Sequence, residues 1–268
     1  MSEVFNLIIQ LLLFIGIVYL VGYLISLVNR TFYKITGGGR GVCLATGFIG
    51  TPIHELSHAI MCLVFFFRIE EIKLFQTDDA NGVLGYVKYR YNRKNLFQRI
   101  GTFFVGIAPI MGGSLVLMLL MKSLAPNCYY ACQSSLAQFT LTNNGVSLDT
   151  IMAFITLAFG CVSALFTNGF GIGLVVFLVL AFCIALHMNL SGADIKGGLG
   201  GLPILIILVG VVATVLYYLP FTAFLIFNNF IIGVFTYIIA LLFLSLIFAL
   251  VILAFGFVFS LIKKVFGR

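Results

Sequence analysis

Long apolar segments separated by short polar stretches account for most of this 268-residue chain. A helix needs about 20 mostly apolar residues to cross the hydrocarbon layer of a bilayer. Only 9% of the residues are charged, whereas a soluble domain carries about 25%. The sequence therefore predicts an all-α, polytopic integral membrane protein whose main partner is the lipid bilayer. Six segments are long enough to span it: residues 5–29, 42–67, 102–121, 171–188, 203–226 and 231–262.

A seventh apolar segment, residues 151–167, is shorter and leads almost directly into the segment at 171–188. Loops rich in Lys and Arg usually face the cytoplasm, which allows the segments to be oriented. The loop between the second and third segments is the most basic, and the C-terminal tail is basic as well. We therefore expect both termini in the cytoplasm, six full crossings of the cell membrane, and a partial or re-entrant segment at 151–167.

The loop after the second segment has a pattern of its own. It is rich in β-branched and aromatic residues on both sides of Asn81-Gly82, a dipeptide typical of hairpin turns. We predict a small cytoplasmic β-hairpin over about residues 69–91. No linker divides the chain, so we expect a single membrane domain over residues 1–268. The net charge of +7 is spread over short loops that suit lipid head groups, and we expect no nucleic-acid partner.

The most specific motif is His54-Glu55-Leu56-Ser57-His58, in the middle of an apolar segment. Residues four apart share a helix face, so His54 and His58 can both bind one Zn²⁺ ion. Glu55 lies beside them, where its carboxylate can accept a proton from a water molecule that the metal activates. The alternative is a chance match that packs as a polar helix face. Ionisable residues at the bilayer centre cost roughly 2.5–3.5 kcal/mol each, so we favour a metal as their partner.

A catalytic zinc site takes a third protein ligand and leaves one position open. Asp194 is our candidate, because it follows an apolar segment in a glycine-interrupted stretch that could line a cavity. It could instead cap the next helix or pair with Lys196. His187 could be an alternative ligand, a transition-state donor or a buried histidine, and we favour a supporting or substrate-facing role. Asn189 could hydrogen-bond a peptide backbone or an oxyanion, or it could simply satisfy packing contacts.

Four motifs occur in the order found in the site-2 protease family of intramembrane zinc metalloproteases, which this chain resembles over residues 42–197. The first is the motif at 54–58, and the second, Gly85-Tyr86-Val87-Lys88, is similar to the family's G-Y-V-K hairpin sequence. The third, residues 106–112, resembles a G-P-x-x-N helix motif, with glycine in place of the asparagine. The fourth, residues 189–194, resembles the segment that supplies the third ligand, with a shorter spacing and Ile195 after the aspartate.

The resemblance implies that His54, His58 and Asp194 bind zinc and that Glu55 is the catalytic base. The expected reaction is hydrolysis of peptide bonds in or near the transmembrane segments of membrane proteins. An extended substrate could add as a strand along residues 83–91, where we expect Tyr86 and Val87 to face it. Two alternatives remain: an inactive relative in which the metal stabilises a protein that binds membrane partners, and a transporter whose polar residues line a pathway.

Overall fold

The computed structural model describes residues 2–37, 39–77, 82–131, 133, 163, 171–219 and 221–266, and these are mostly helical. The predicted partial segment at 151–167 lies outside the described residues, apart from Ser163. Six helices and two strands have both ends within the described part and follow in chain order: α1 Ser2–Thr36, α2 Arg40–Val64, β1 Arg68–Lys73, β2 Tyr86–Arg90, α3 Leu96–Leu124, α4 Ile172–Leu186, α5 Gly192–Tyr217 and α6 Phe221–Phe266.

Four helical stretches of the described part are long and apolar enough to cross a membrane: α1, α3, α5 and Ser245–Ile262 within α6. They support the prediction of an integral membrane protein, whereas the count of six crossings is not confirmed. The helix α4 has only 15 residues, and a helix of that length rises about 22 Å, less than the hydrocarbon thickness of about 30 Å. The helix α2 is continuous, but glycines, threonines and the polar residues of the histidine motif make its sequence less apolar.

The structure divides one predicted segment between two helices. The apolar run at 203–226 was expected to form one helix, but α5 ends at Tyr217 and α6 begins at Phe221. The sequence has Pro220 at this point, and a proline disfavours helical backbone in the residue before it and cannot donate to the helix ladder. Hydropathy alone does not register this break, because the residues on both sides are apolar.

The predicted hairpin is present as an antiparallel pair of β1 and β2, with Arg68 opposite Arg90 and Lys73 opposite Tyr86. It folds back along α2, which the sequence did not predict. Leu84 packs against Gly47, and Arg40, the first residue of α2, donates a hydrogen bond to the carbonyl of Thr77. The hairpin therefore follows α2 from one end to the other instead of extending away from it.

Glu71 joins the two strands of the hairpin. Its carboxylate accepts hydrogen bonds from Lys88 Nζ at 2.8 Å and from the Tyr86 hydroxyl. These two contacts, that of Lys88 first, hold the pKa of Glu71 below its ordinary value. Because the pKa of Glu71 is lower in the folded state, its contacts stabilise the fold at pH values above the pKa of the unfolded chain. This stabilisation is lost as the pH falls through the pKa of the folded state.

We expect a ¹³C NMR titration of the Glu71 carboxyl carbon to show a midpoint below that of an ordinary glutamate. In the variant Lys88→Gln the midpoint should rise towards the ordinary value, because the charge-assisted donor is gone. A wild-type midpoint at the ordinary value would mean that the strands are not joined through Glu71 in solution.

The helix α3 packs between α2 and α5, and this arrangement positions the site. Small residues allow the close approach, as is usual between membrane helices. Gly112 of α3 lies directly against Ser57 of α2, and Gly106 lies against Gly198 of α5. On the other side, α1 packs along α6, and an apolar core around Phe103, Phe177 and Leu117 joins the bundle. As a result, the histidine motif of α2 and the first turn of α5, both packed on α3, come into direct contact.

Candidate metal centre

Three side chains from two helices converge at one point. His54 and His58 belong to α2, and Asp194 belongs to the first turn of α5. One potential ligand atom of each lies within 4.8 Å of those of the other two, and His58 Nε2 is 3.2 Å from Asp194 Oδ1. Among the described residues, this is the only such group of three His, Cys, Asp or Glu side chains. The structure thus brings together the three residues that we predicted as ligands.

Both histidines are held by backbone carbonyls. His54 Nδ1 lies 2.8 Å from the carbonyl of His187, and His58 Nδ1 lies 2.9 Å from the carbonyl of Val105. Since a carbonyl only accepts hydrogen bonds, we assign the proton of each ring to Nδ1, which leaves the lone pair on Nε2. Proteins commonly orient metal-binding imidazoles in this way, by a hydrogen bond from the other ring nitrogen.

Asp194 uses its two oxygens for different contacts. Oδ2 accepts a hydrogen bond from the backbone N–H of Ser191 at 2.8 Å, and the Ser191 hydroxyl accepts one from the Asp194 N–H at 3.1 Å. This reciprocal capping box starts α5 and sets the direction of the carboxylate. Oδ1 is left to face His58. Helix capping and metal binding were alternatives in the sequence, but the geometry is compatible with both. No salt bridge joins Asp194 to Lys196, two residues that the structure describes.

The types of donor in this group are ones that Zn²⁺ accepts. Two ligand atoms about 2.05 Å from a tetrahedral ion lie about 3.3 Å apart, close to the separation of His58 Nε2 and Asp194 Oδ1. In a neutral His58 that donates from Nδ1, the Nε2 lone pair points at the Asp194 carboxylate. Two such acceptors at 3.2 Å repel each other unless a cation or a proton lies between them. Two imidazoles and one carboxylate are also a ligand set that catalytic zinc sites use.

Gly106 of α3 allows Asp194 to approach the histidines. A Cβ atom at position 106 would lie 2.5 Å from the Asp194 carbonyl oxygen and 2.8 Å from Gly198 Cα. Both neighbours are backbone atoms, which cannot rotate away as a side-chain end can. The α3–α5 contact thus depends on a glycine at this position.

We expect Gly106→Ala to weaken zinc binding by roughly 10–100-fold, the range typical for residues that support metal ligands. The added methyl group would push the first turn of α5, and Asp194 with it, away from His58. Competition with a fluorescent zinc chelator measures the affinity. Gly16→Ala on α1 is the matched control, because a Cβ there meets no atom within 4 Å. Equal affinities for Gly106→Ala and wild type would show that this contact does not place Asp194.

Glu55 lies beside the three converging side chains and not among them. Glu55 is only 7% exposed, and its side chain forms no hydrogen bond or salt bridge with any described residue. The hairpin covers it, since a Cβ at Gly85 would lie 2.9 Å from Glu55 Cγ and 2.8 Å from Thr51 Cγ2. No described residue therefore occupies the carboxylate oxygens of Glu55, which lie beside the three converging side chains and the start of β2.

The His187 ring lies outside the group of three and contacts two threonines of α2. Its Nε2 lies 3.0 Å from Thr46 Oγ1 and its Nδ1 lies 3.4 Å from Thr51 Oγ1. The Thr46 hydroxyl donates its hydrogen to the Val42 carbonyl at 2.8 Å, so its oxygen accepts a hydrogen bond from His187 Nε2. These contacts hold the ring against α2, while the His187 carbonyl orients His54. Of the roles considered for His187, the geometry favours the supporting one.

The Asn189 side chain is engaged within the fold. Its Oδ1 accepts a hydrogen bond from Asn29 Nδ2 at 2.8 Å, and its Nδ2 is 3.3 Å from the carbonyl of Leu186. Asn29, on α1 and only 1% exposed, also donates to the carbonyl of Ala185 at 2.9 Å. Asn29 thus anchors the end of α4, from which the His187 carbonyl reaches His54. Asn29 is not among the site residues predicted from the sequence. The only sequence feature that could have indicated its role is the presence of a polar amide side chain in an apolar segment.

The two residues predicted to face a substrate both lie in β2. The Tyr86 hydroxyl donates to Glu71, and Val87 pairs with Ile72 of β1. Their strand begins directly after Gly85, the residue that packs on Glu55. The hairpin is therefore next to the candidate catalytic carboxylate, although the Tyr86 hydroxyl is already engaged.

Comparisons of this chain with protein-family models, with curated proteins and with solved structures found no match.

Proposed function

We propose that this chain is an intramembrane zinc metalloprotease of the site-2 protease type, which hydrolyses peptide bonds in or near the transmembrane segments of membrane proteins. The observation that carries the proposal is the convergence of His54, His58 and Asp194, with Glu55 beside them, in a chain of membrane-length helices. Zn²⁺ bound by these residues would polarise a peptide carbonyl and lower the pKa of a water molecule to about 7.

Glu55 is the proposed general base. Its carboxylate accepts a proton from the attacking water as the water oxygen bonds to the carbonyl carbon. It then gives that proton to the amide nitrogen as the C–N bond breaks, which returns Glu55 to its starting state. Burial and the lack of a described partner support this role, because a carboxylate committed to a salt bridge would be a poor proton acceptor.

The hairpin is the proposed substrate cradle. Each strand of a two-stranded sheet has one edge that pairs with no described strand. An extended segment could add to such an edge through main-chain hydrogen bonds. Since β2 begins beside Gly85 and Glu55, a segment added there would pass close to the metal centre. A substrate helix must unwind first, because its own hydrogen bonds occupy the carbonyls.

The proposed topology keeps six crossings, cytoplasmic termini and a partial segment at 151–167, in the cell membrane. Four crossings correspond to the membrane-length helices, and α2 and α4 would supply the others. Because α4 has only 15 residues, its crossing would require local thinning of the bilayer. A β-hairpin along α2 would then lie partly at membrane depth. Non-helical backbone is tolerated there where it is buried in protein or lines a water-filled cavity, and hydrolysis also requires access for water.

Quantitative mass spectrometry of membrane proteins tests the proposal directly. Cells that produce the wild-type chain are compared with cells that produce Glu55→Gln at the same level. The expected result is the accumulation of one or a few uncut membrane proteins in the variant, with their cleavage products absent. Identical membrane proteomes, together with zinc bound to both proteins, would favour an inactive relative that the metal only stabilises.

A further inference from the structure

A patch of exposed apolar side chains lies where α2 ends and α3 begins. It consists of Leu63, Phe66, Leu96 and Phe97, which are 64, 76, 63 and 48% exposed. We refer to these residues as the Phe66 patch. Contiguous exposed apolar surface of this kind marks contact with a membrane or with another protein. The patch lies at one end of α3, which is itself long and apolar enough to cross a membrane.

The backbone at this junction is shaped to direct Phe66 outward. Phe66 has a φ of +56°, a left-handed conformation that is unusual for a bulky residue and needs support from its surroundings. Its N–H donates to the Leu63 carbonyl at 3.1 Å, and its own carbonyl accepts from Gln98 Nε2 at 2.6 Å. The preceding residue, Phe65, turns inward, is 8% exposed and stacks on Phe104 with ring centroids 5.2 Å apart. The outward direction of Phe66 is therefore built into the fold.

Four exposed cations lie within three residues of the patch along the chain: Arg68, Arg93, Lys94 and Arg99. None of these four forms a salt bridge with a described residue. The cations of β2 differ from these, since Lys88 pairs with Glu71 and Arg90 pairs with Glu70. Aromatic and aliphatic side chains next to cations without a described acidic partner suit the interface of a bilayer, where rings lie at headgroup level and cations meet anionic lipids.

We propose that the Phe66 patch is an interfacial anchor that inserts into the headgroup layer of an anionic leaflet. The occupant is the lipid surface itself, recognised by its phosphate charge and by its apolar boundary. The anchor would hold the end of α2 at a constant depth and thereby set the depth of the metal centre two to three turns away. The inference does not depend on peptidase activity, since insertion can be measured in the absence of a substrate.

Tryptophan fluorescence tests the anchor, because the chain contains no tryptophan. Phe66→Trp introduces a single reporter into the full chain, which is reconstituted in phosphatidylcholine vesicles with or without phosphatidylglycerol. We expect blue-shifted emission, protection from aqueous acrylamide, and quenching by lipids brominated near the carbonyl end of the acyl chain. Phe65→Trp is the matched control, and lipid bromine should quench this buried neighbour much less.

The charge part of the proposal is tested with brominated phosphatidylglycerol and brominated phosphatidylcholine at equal mole fractions. The anionic lipid should quench the introduced tryptophan more strongly. Arg93→Gln and Lys94→Gln each remove one charge that contacts the lipid. Each variant should lower the preference for the anionic lipid by roughly fivefold. Lys122→Gln, in the last turn at the other end of α3, should leave it unchanged.

Two results would overturn the anchor. Emission that stays red-shifted and open to acrylamide would place the patch in water. Protection from both acrylamide and lipid bromine would mean that a protein, such as a second copy of the chain, covers it.

Discussion

Replacement of Glu55 by glutamine is expected to lower the rate of peptide hydrolysis by roughly 10²–10⁴-fold, the usual contribution of a positioned acid–base group. Glutamine has nearly the same shape as glutamate but cannot accept the proton from water. Glu55 lies outside the group of three that could hold the metal, so zinc binding should be unchanged. Purified wild-type and variant protein in bilayers would be compared for cleavage of a membrane substrate and for zinc content by elemental analysis.

Glu3→Gln is a suitable control for this experiment, because Glu3 lies in the first turn of α1 and belongs neither to the group of three nor to the hairpin. It should keep most of the activity. If Glu55→Gln hydrolyses the substrate as fast as the wild type, Glu55 is not the base. If it loses zinc as well as activity, Glu55 contributes to the metal site itself, and the separation of roles proposed here is wrong.

Removal of the Asp194 carboxylate is expected to weaken zinc binding by more than the roughly 100-fold that supporting residues can cost. Asp194→Ala takes away one of three converging ligands and also opens the capping box of α5. A missing N-cap contact costs about 1 kcal/mol, so circular dichroism should show that the helices remain. Zinc affinity is measured by chelator competition, as for the Gly106 variant.

Asp194→Asn and Ser191→Ala separate the two roles of this residue. The asparagine retains an oxygen that can accept the Ser191 N–H, so the cap survives while the anionic ligand is lost. Ser191→Ala removes the hydroxyl that accepts from the Asp194 N–H, and keeps the carboxylate. We expect Asp194→Asn to bind zinc nearly as poorly as Asp194→Ala, and Ser191→Ala to bind it better than either. The opposite order would mean that capping, and not ligation, is the function of Asp194.

Local features of the fold could be predicted because they depend on residues that are close in sequence. The spacing of His54 and His58 places them on one helix face whatever surrounds the helix. The strand pattern around Gly82 predicts the hairpin in the same way, and four of the apolar segments contain stretches that match membrane-length helices. The break before Phe221 could have been inferred from Pro220, but an average over apolar residues hides it.

The partners that orient the site could not be predicted. His54 and His58 are held by the carbonyls of His187 and Val105, and a backbone carbonyl is the same in every residue. The anchoring of α4 by Asn29 joins residues far apart in the chain. Such contacts are decided by how helices cross, and that depends on the packing of many side chains at once.

By itself, the sequence determined a membrane chain with two histidines and a glutamate on one helix face, because helix geometry and hydropathy are local properties. Only the tertiary structure decided that Asp194 meets these histidines, because that requires α3 to lie between α2 and α5 with glycine at the contacts. It also decided that Asp194 can cap a helix and face His58 together. A carboxylate has two oxygens, and only the position of α5 directs each of them to a different partner.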